Sequence, residues 1–161
     1  MSNSLKIFFK SSVLFCLLSF TNETNIPDTF SGKVVGVKDG DTIEVMYEGI
    51  AQTVRLLDID CPEKSQAYGM KAKQFTSDFC YGKIVTVESF GKKDRYDRIL
   101  GTVKIGDKVL NEELVKAGYA WHYKKYSDKQ SYSNLENAAK KDKVGLWADE
   151  NPTPPWDFRK K

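Results

Sequence analysis

Residues 34–59, VVGVKDGDTIEVMYEGIAQTVRLLDI, contain the pattern that decides the fold. Apolar and β-branched residues recur along this stretch, and the turn signals Asp39-Gly40 and Glu48-Gly49 divide it into three parts. The stretch therefore predicts three consecutive β-strands. They are expected at 34–37, 42–47 and 51–59.

The segment after the third strand predicts a helix over residues 66–80. Pro62 ends the strand, because proline cannot donate a hydrogen bond to a sheet. Ala72, Phe75 and Phe79 then fall on one face at helical spacing. A helix is therefore expected between the third strand and the rest of the sheet.

The rest of the chain predicts two more strands, at 84–89 and 99–105, and two more helices. Asn111 is expected to cap a helix over 112–117. Residues 133–136, SNLE, match a capping box and predict the start of the last helix. Strands first and helices mostly later indicate the α+β class. Five strands with one inserted helix favour a closed five-stranded OB-type β-barrel with about three helices.

The length of 161 residues suits one domain, which is expected at 26–150. A proline-rich tail at 151–161 is expected to be a strap or a loose end. Residues 1–25 contain two lysines followed by a short apolar run at 11–20, a pattern typical of a secretory signal. The sequence therefore predicts a secreted, periplasmic or extracellular protein. The alternative is a membrane anchor formed by the same N-terminal hydrophobic segment.

A net charge of +3 does not by itself indicate binding to nucleic acid. Two local stretches do, at 92–98 and 123–126, where lysines and arginines lie among tyrosines. The chain has no Cys-x-x-Cys spacing, which argues against a zinc site. Cys80 is expected to be a buried apolar residue, and His122 a hydrogen-bonded structural one.

Asp41 follows the first turn, and Asp60 ends the third predicted strand. Neighbouring strand ends of a small barrel can bring these carboxylates together, and two close carboxylates repel each other unless a cation lies between them. A hard divalent cation prefers such oxygen ligands. The alternative is that each aspartate serves only its own turn or strand end.

Glu63 lies three residues beyond Asp60 and is the candidate general base, since a carboxylate near an attacking water can take its proton. The alternative is that Glu63 caps the following helix. Arg55 and Arg98 are candidate phosphate ligands, because the guanidinium fork can hold two phosphate oxygens. Each could also be an ordinary surface arginine.

Three motifs in order, DGDT at 39–42, RLLDIDCPE at 55–63 and DRYDR at 94–98, resemble the staphylococcal (micrococcal) nuclease, or thermonuclease, family. The resemblance runs from about residue 31 to residue 147. It implies that calcium is the cofactor. The implied calcium ligands are Asp41, Asp60 and the backbone carbonyl of Cys61.

The resemblance also implies the roles of the remaining site residues. Arg55 and Arg98 would contact the phosphate, and Glu63 would act on the attacking water. Tyr96 and Tyr126 are candidates for stacking on a base or lying along the sugar, with packing in the core or at the surface as the alternative. Asp97 stands where the family prototype has glycine, which is expected to change the loop geometry or to pair with Arg95.

The resemblance implies a calcium-dependent, sugar-nonspecific endonuclease that hydrolyses DNA and RNA to 3′-phosphate products. The expected partners are these nucleic-acid substrates, with no stable protein partner and a monomeric state. The alternative is an OB-fold module that binds single-stranded nucleic acid without cutting it. Relatives of that kind lose acidic or arginine positions, whereas this chain keeps all of them. They are Asp41, Arg55, Asp60, Glu63 and Arg98.

Overall fold

A computed structural model describes residues 26–160 of the chain. The predicted signal or anchor at 1–25 lies outside the described residues. Within 26–160, none of the helices combines the length and the apolar character that a membrane crossing requires.

The first three strands form an antiparallel meander, as predicted. They are β1 (Thr29–Asp39), β2 (Thr42–Tyr47) and β3 (Ile50–Leu56). The third predicted strand is wrong at its end: Leu57 and Asp58 form a turn, in which Asp58 has a positive φ of 67°. The chain then resumes as a separate two-residue strand, β4 (Ile59–Asp60), which carries one of the candidate carboxylates.

The remaining strands are β5 (Ile84–Glu88), β6 (Ile99–Ile105), β7 (Lys108–Val109) and β8 (Trp121–His122). The order β3-β2-β1-β5-β6 is antiparallel throughout, and a parallel pairing of β3 with β6 closes the ring. The α+β class and the five-stranded OB-type barrel are therefore confirmed. Two short strands, β4 and β8, pair beside the barrel.

The helices are α1 (Gly69–Cys80), α2 (Leu110–Lys116), α3 (Gln130–Lys141) and α4 (Pro155–Phe158), with a short 3-10 helix at Gly145–Ala148. The barrel interior and the inner faces of α1 and α2 make one apolar core. Its fully buried members include Val34, Ile43, Val45, Val54, Val85, Val103 and Leu114. Cys80 belongs to this core, as predicted.

The predicted start of α1 at residue 66 is wrong. Residues 63–69 form two successive turns instead, in which the Gln66 N–H donates to the Glu63 carbonyl at 2.8 Å and the Gly69 N–H to the Gln66 carbonyl at 3.0 Å. Tyr68, with a φ of 66°, precedes the helix in the left-handed conformation. These turns keep Glu63 outside the helix.

Asn111 and Ser133 do not cap helices, and both predictions are wrong for the same reason. The buried Asn111 side chain donates to the Leu57 carbonyl at 3.0 Å and accepts from the Val103 N–H at 3.1 Å. The Ser133 hydroxyl lies inside α3, 3.0 Å from Nδ1 of His122. Tertiary partners thus replace the local capping bonds.

The C-terminal strap, residues 152–160, packs against the domain. Pro155 is buried, and the Thr153 carbonyl accepts a hydrogen bond from Gln66. The Trp156 ring stacks on the Tyr123 ring at a centroid distance of 5.3 Å and an interplanar angle of 3°. The tail is therefore a strap, not a loose end.

Candidate active site

Asp41 and Asp60 both pair with one guanidinium group, that of Arg55. Nη2 of Arg55 is 3.1 Å from Oδ2 of Asp41 and 2.8 Å from Oδ1 of Asp60. The pairing of Thr42 with Arg55 across β2 and β3 brings the first turn beside this arginine. The structure thus brings together three residues that the sequence singled out.

Backbone contacts fix Arg55 in this position. Its Nη1 atom donates to the Leu56 carbonyl at 2.5 Å and to the Ile59 carbonyl at 2.9 Å. The side chain is only 12% exposed. Burial lowers the pKa of Arg55, but the neighbouring carboxylates of Asp41 and Asp60 raise it by more, so the guanidinium stays charged.

Burial raises the pKa of Asp41 to about 6, although the charge of Arg55 opposes the shift. The Cys61 N–H donates to Oδ2 of Asp41 at 2.7 Å, and the Thr42 hydroxyl donates to Oδ1 at 3.2 Å. Burial also raises the pKa of Asp60. Burial thus makes ionisation of these two carboxyls costly even beside the arginine, and a further cation would reduce that cost.

Gly40 allows the site to close. A Cβ atom at this buried position would lie 2.8 Å from the Cβ atoms of both Ala72 and Cys61. Without one, α1 and the Cys61 backbone approach the turn that carries Asp41. The Thr76 hydroxyl on α1 then donates to the Gly40 carbonyl at 2.5 Å.

The donor set fits part of the shell of a hard cation. Asp41 and Asp60 supply carboxylate oxygens, and the backbone oxygen of Cys61 follows directly in the chain. Burial raises the pKa of the Cys61 thiol well above its ordinary value, so the sulfur stays protonated and does not act as a thiolate ligand. Among residues 26–160, no group of three or more His, Cys, Asp or Glu side chains is arranged to hold a metal. Water and substrate oxygens would therefore have to complete the shell.

Glu63 lies beside this cluster, on the turn after β4. Its side chain is 38% exposed and stands six residues before the start of α1, which has no side-chain cap. The alternative that Glu63 caps this helix is therefore wrong.

Arg159 of the strap also joins the cluster. Its Nη2 atom is 2.7 Å from Oδ2 of Asp60, and its Nη1 atom donates to Oε1 of Glu63 at 2.6 Å. Sequence reasoning missed this residue, because a basic chain end carries no local sign of a partner 96 positions earlier.

Arg98 lies apart from the carboxylate cluster. The parallel pairing sets Leu100 beside Arg55, and Arg98 lies on the loop that ends directly before β6. Its Nε atom donates to Oδ2 of Asp94 at 2.8 Å, and its guanidinium lies 5.5 Å from the centre of the Tyr96 ring. Of the two candidate phosphate ligands, Arg55 thus lies in β3 and Arg98 on the loop before the neighbouring strand β6, and they have different partners.

Asp97 adopts the left-handed conformation, with a φ of 62°. Aspartate tolerates this conformation better than most residues, which accounts for its standing where the prototype has glycine. The expected pairing with Arg95 is wrong. Oδ1 of Asp97 instead accepts from Nζ of Lys93 at 2.7 Å.

Tyr96 and Tyr126 are both exposed, at 64% and 69%. Arg95 lies over the Tyr96 ring, with 4.7 Å between its Cζ atom and the ring centre. The Tyr126 ring meets Tyr123 edge-on at a centroid distance of 4.9 Å. Their exposure leaves both rings available to a ligand, and their role in binding stays a prediction.

His122 is structural, as predicted. It is buried, with Nδ1 and Nε2 each 3.0 Å from a serine hydroxyl, those of Ser133 and Ser127. Burial lowers its pKa. These contacts satisfy both ring nitrogens away from the carboxylate cluster.

Residues 53–149 match the family model described as staphylococcal nuclease homologue. A protein of Escherichia coli named "Uncharacterized endonuclease" is 46% identical over 129 residues, which cover 80% of this chain and 84% of the relative. "Micrococcal nuclease" of Shigella flexneri is 38% identical over 143 residues, covering 81% of each chain. The matched region includes Arg55, Asp60, Glu63 and Arg98. The chain therefore belongs to the staphylococcal nuclease family, as the order of its three motifs predicted.

Proposed function

We propose that this protein is a calcium-dependent, sugar-nonspecific endonuclease that hydrolyses DNA and RNA to 3′-phosphate products. Membership of the family supports a nuclease acting on nucleic acid. The observation that carries the proposal is the pair of buried carboxylates, Asp41 and Asp60, held around Arg55 with Glu63 beside them.

Asp41, Asp60 and the carbonyl of Cys61 would hold the calcium ion. Bound there, calcium would place positive charge beside the phosphate and stabilise the negative charge that develops on its oxygens in the transition state. The raised pKa values of the two aspartates fit this use, because a cation is what makes their joint ionisation favourable.

Arg55 is preorganised for a phosphate oxygen. Its position is set by the Leu56 and Ile59 carbonyls, so little side-chain entropy is lost when substrate binds. Arg98, on the loop before the neighbouring strand β6, would contact the same phosphate from a position fixed by Asp94.

Glu63 would accept a proton from the attacking water. Attack on phosphorus forms a new P–O bond and breaks the bond to the 5′ oxygen, which leaves the phosphate on the 3′ side. The exposed Tyr96 and Tyr126 would stack on bases, a contact that tolerates any sequence and either sugar.

We also propose that the protein acts as a monomer without a stable protein partner and that residues 1–25 direct its export. The support for export is the basic and then apolar order of this segment. Retention by the same segment as a membrane anchor is the alternative. Release of the protein into the medium or periplasm without residues 1–25 would distinguish the two.

The test is digestion of single-stranded DNA and of RNA with calcium, with magnesium and with a chelator. We expect cleavage only with calcium and a loss of about a hundredfold or more in Glu63→Gln. Glu150→Gln is the matched control, because Glu150 is exposed and is not a member of the ion-paired cluster of Asp41, Asp60, Glu63 and their arginines.

Two outcomes would contradict the proposal. Folded protein that binds single-stranded DNA without cutting it would instead be the binding module. Calcium-dependent cleavage that Glu63→Gln leaves intact would show that another group takes the proton.

A further inference from the structure

Arg159 neutralises the same carboxylates that the proposed cation needs. Its Nη2 atom donates to Oδ2 of Asp60 at 2.7 Å, and its Nη1 atom donates to Oδ1 of Asp60 at 3.4 Å and to Oε1 of Glu63 at 2.6 Å. Together with Arg55, it leaves neither oxygen of Asp60 without a cationic donor. A divalent ion approaching Asp60 therefore meets both the bonds and the charge of Arg159.

The strap delivers Arg159 to this position. Trp156, three residues earlier, stacks on Tyr123 and meets the Trp121 ring edge-on at a centroid distance of 5.6 Å. The Arg159 N–H donates to the Pro155 carbonyl at 3.0 Å, which continues the turn of α4. The guanidinium is therefore presented by a packed segment.

Of the two arginines on Asp60, Arg159 is the one that can leave. Arg55 is 12% exposed and bonded to two backbone carbonyls, whereas Arg159 is 42% exposed and, within residues 26–160, its guanidinium is hydrogen-bonded only to the two carboxylates. Its departure would cost these contacts alone and would return the group to water.

We propose that Arg159 is a built-in competitor of the divalent cation: it occupies Asp60 and Glu63, and cation binding displaces it. The inference rests on the proposed function. Displacement also releases Glu63, so one event would complete the cation site and free the candidate base. Cation binding and base availability would thus be coupled through a single side chain.

Calcium binding measured by isothermal titration calorimetry tests the competition directly. We expect Arg159→Gln to bind calcium about fivefold more tightly than the parent, the order of effect of a partly exposed ion pair. The matched control is Lys160→Gln, which removes the same charge one residue away. Lys160 is 74% exposed and pairs only with Asp157. Its affinity should stay within about twofold of the parent.

Trp156→Ala supplies an independent test, because it weakens the strap and leaves every charge in place. It should also bind calcium more tightly, by a smaller factor. Hydrogen exchange at the amides of residues 158–160 should become faster when calcium is added to the parent protein.

Equal calcium affinity in Arg159→Gln and the parent would overturn the competition, and so would weaker binding by the variant. An equal gain of calcium affinity in Lys160→Gln would show that net charge causes the effect, and it would also overturn the proposed competition. If none of the folded proteins bound calcium, the proposed calcium site would itself fail and the inference would fall with it. That result is distinct from tight and equal binding by all of them.

Discussion

Two groups of carboxylates and arginines in this molecule differ in the direction in which the carboxylate pKa is shifted. In the cluster of Asp41, Asp60 and Arg55, burial raises the pKa of both aspartates despite the arginine. In the loop that carries Asp94 and Arg98, burial also raises the pKa, but hydrogen bonds from the Arg98 side chain and from the backbone N–H groups of Arg98 and Tyr96 outweigh it and lower the pKa of Asp94. Depth of burial explains the difference, because the side chains of Asp41 and Asp60 are 8% and 3% exposed, whereas that of Asp94 is 17% exposed and accepts two backbone hydrogen bonds.

The comparison separates two uses of the same residue types. Asp41 and Asp60 share Arg55, and burial keeps the pKa of both raised although Arg159 also bonds to Asp60, so a divalent cation would favour their joint ionisation. Asp94 has its own arginine and three hydrogen bonds, so that pair is satisfied and serves to position Arg98. The first region fits the cation that we propose, whereas the second holds a side chain in position.

Removal of Arg55 should have the largest effect. Arg55→Gln leaves Asp41 and Asp60 facing each other without their shared guanidinium. We expect the cleavage rate to fall by about a hundredfold or more and the free energy of unfolding without calcium to fall by about 3 kcal/mol. Digestion assays and urea unfolding check the two effects. Arg55→Lys, which keeps the charge but not the fork, should recover stability better than activity, and full recovery of activity would contradict the bidentate role.

Asp41→Asn should increase the stability of the metal-free protein, whereas Arg55→Gln should decrease it. The pKa of Asp41 is about 6 in the folded protein, above the ordinary 3.8, so its ionisation destabilises the metal-free fold as the pH rises through this range. We expect the variant to lose calcium binding but to gain about 1–2 kcal/mol in free energy of unfolding near pH 8.

Urea unfolding in chelator, at about pH 5 and about pH 8, measures this gain, which should shrink at the lower pH. Asp107→Asn in the exposed turn between β6 and β7 is the control and should show no such dependence. A variant less stable than the parent at both pH values would show that Asp41 is held favourably as a carboxylate.

Asp94→Asn should have a smaller effect, because it disturbs a satisfied pair. The pKa of Asp94 is lowered in the folded protein, so its stabilisation is present above the ordinary pKa and is lost as the pH falls. We expect a loss of about 0.5–1 kcal/mol near pH 7 and a drop of about tenfold in cleavage as Arg98 loses its position. Thermal unfolding and initial rates measure them. Unchanged rates would show that Arg98 needs no such support.

Asp97→Gly should have the smallest effect. Glycine removes the strain of the positive φ of 62° at this position. It also increases the conformational entropy of the unfolded chain and removes the ion pair with Lys93. These contributions oppose each other, so we expect a change within about 0.5 kcal/mol and cleavage within about twofold of the parent. A large loss would assign the loop geometry to the Asp97–Lys93 pair.

Local pattern was sufficient to predict the five barrel strands, although not the break between β3 and β4, whereas the order of three motifs was needed to single out Asp41, Arg55 and Asp60. The alternation of apolar and polar residues and the turn residues are patterns that span only a few positions, so the meander of β1 to β3 could be predicted from residues adjacent in sequence. The two incorrect caps have a different cause. Asn111 bonds to Leu57 across 54 positions, a distance over which no local pattern carries information.

Arg159 shows the same limit at the site. Its partners Asp60 and Glu63 precede it by 99 and 96 positions, and only the packing of the strap brings them together. The family motifs end before this segment, since the family match stops at residue 149. The carboxylates could therefore be predicted, but the additional guanidinium on them could not.

The aromatic packing of the strap has a spectroscopic consequence. The chain has three tryptophans, and all lie at this end of the molecule: Trp121 contacts Trp147 at 4.4 Å and Trp156 at 5.6 Å between ring centres. Intrinsic fluorescence therefore reports on the seating of the strap, while far-ultraviolet circular dichroism reports on the barrel. Comparison of the two signals during denaturation would show whether the strap detaches before the barrel unfolds, without any added label.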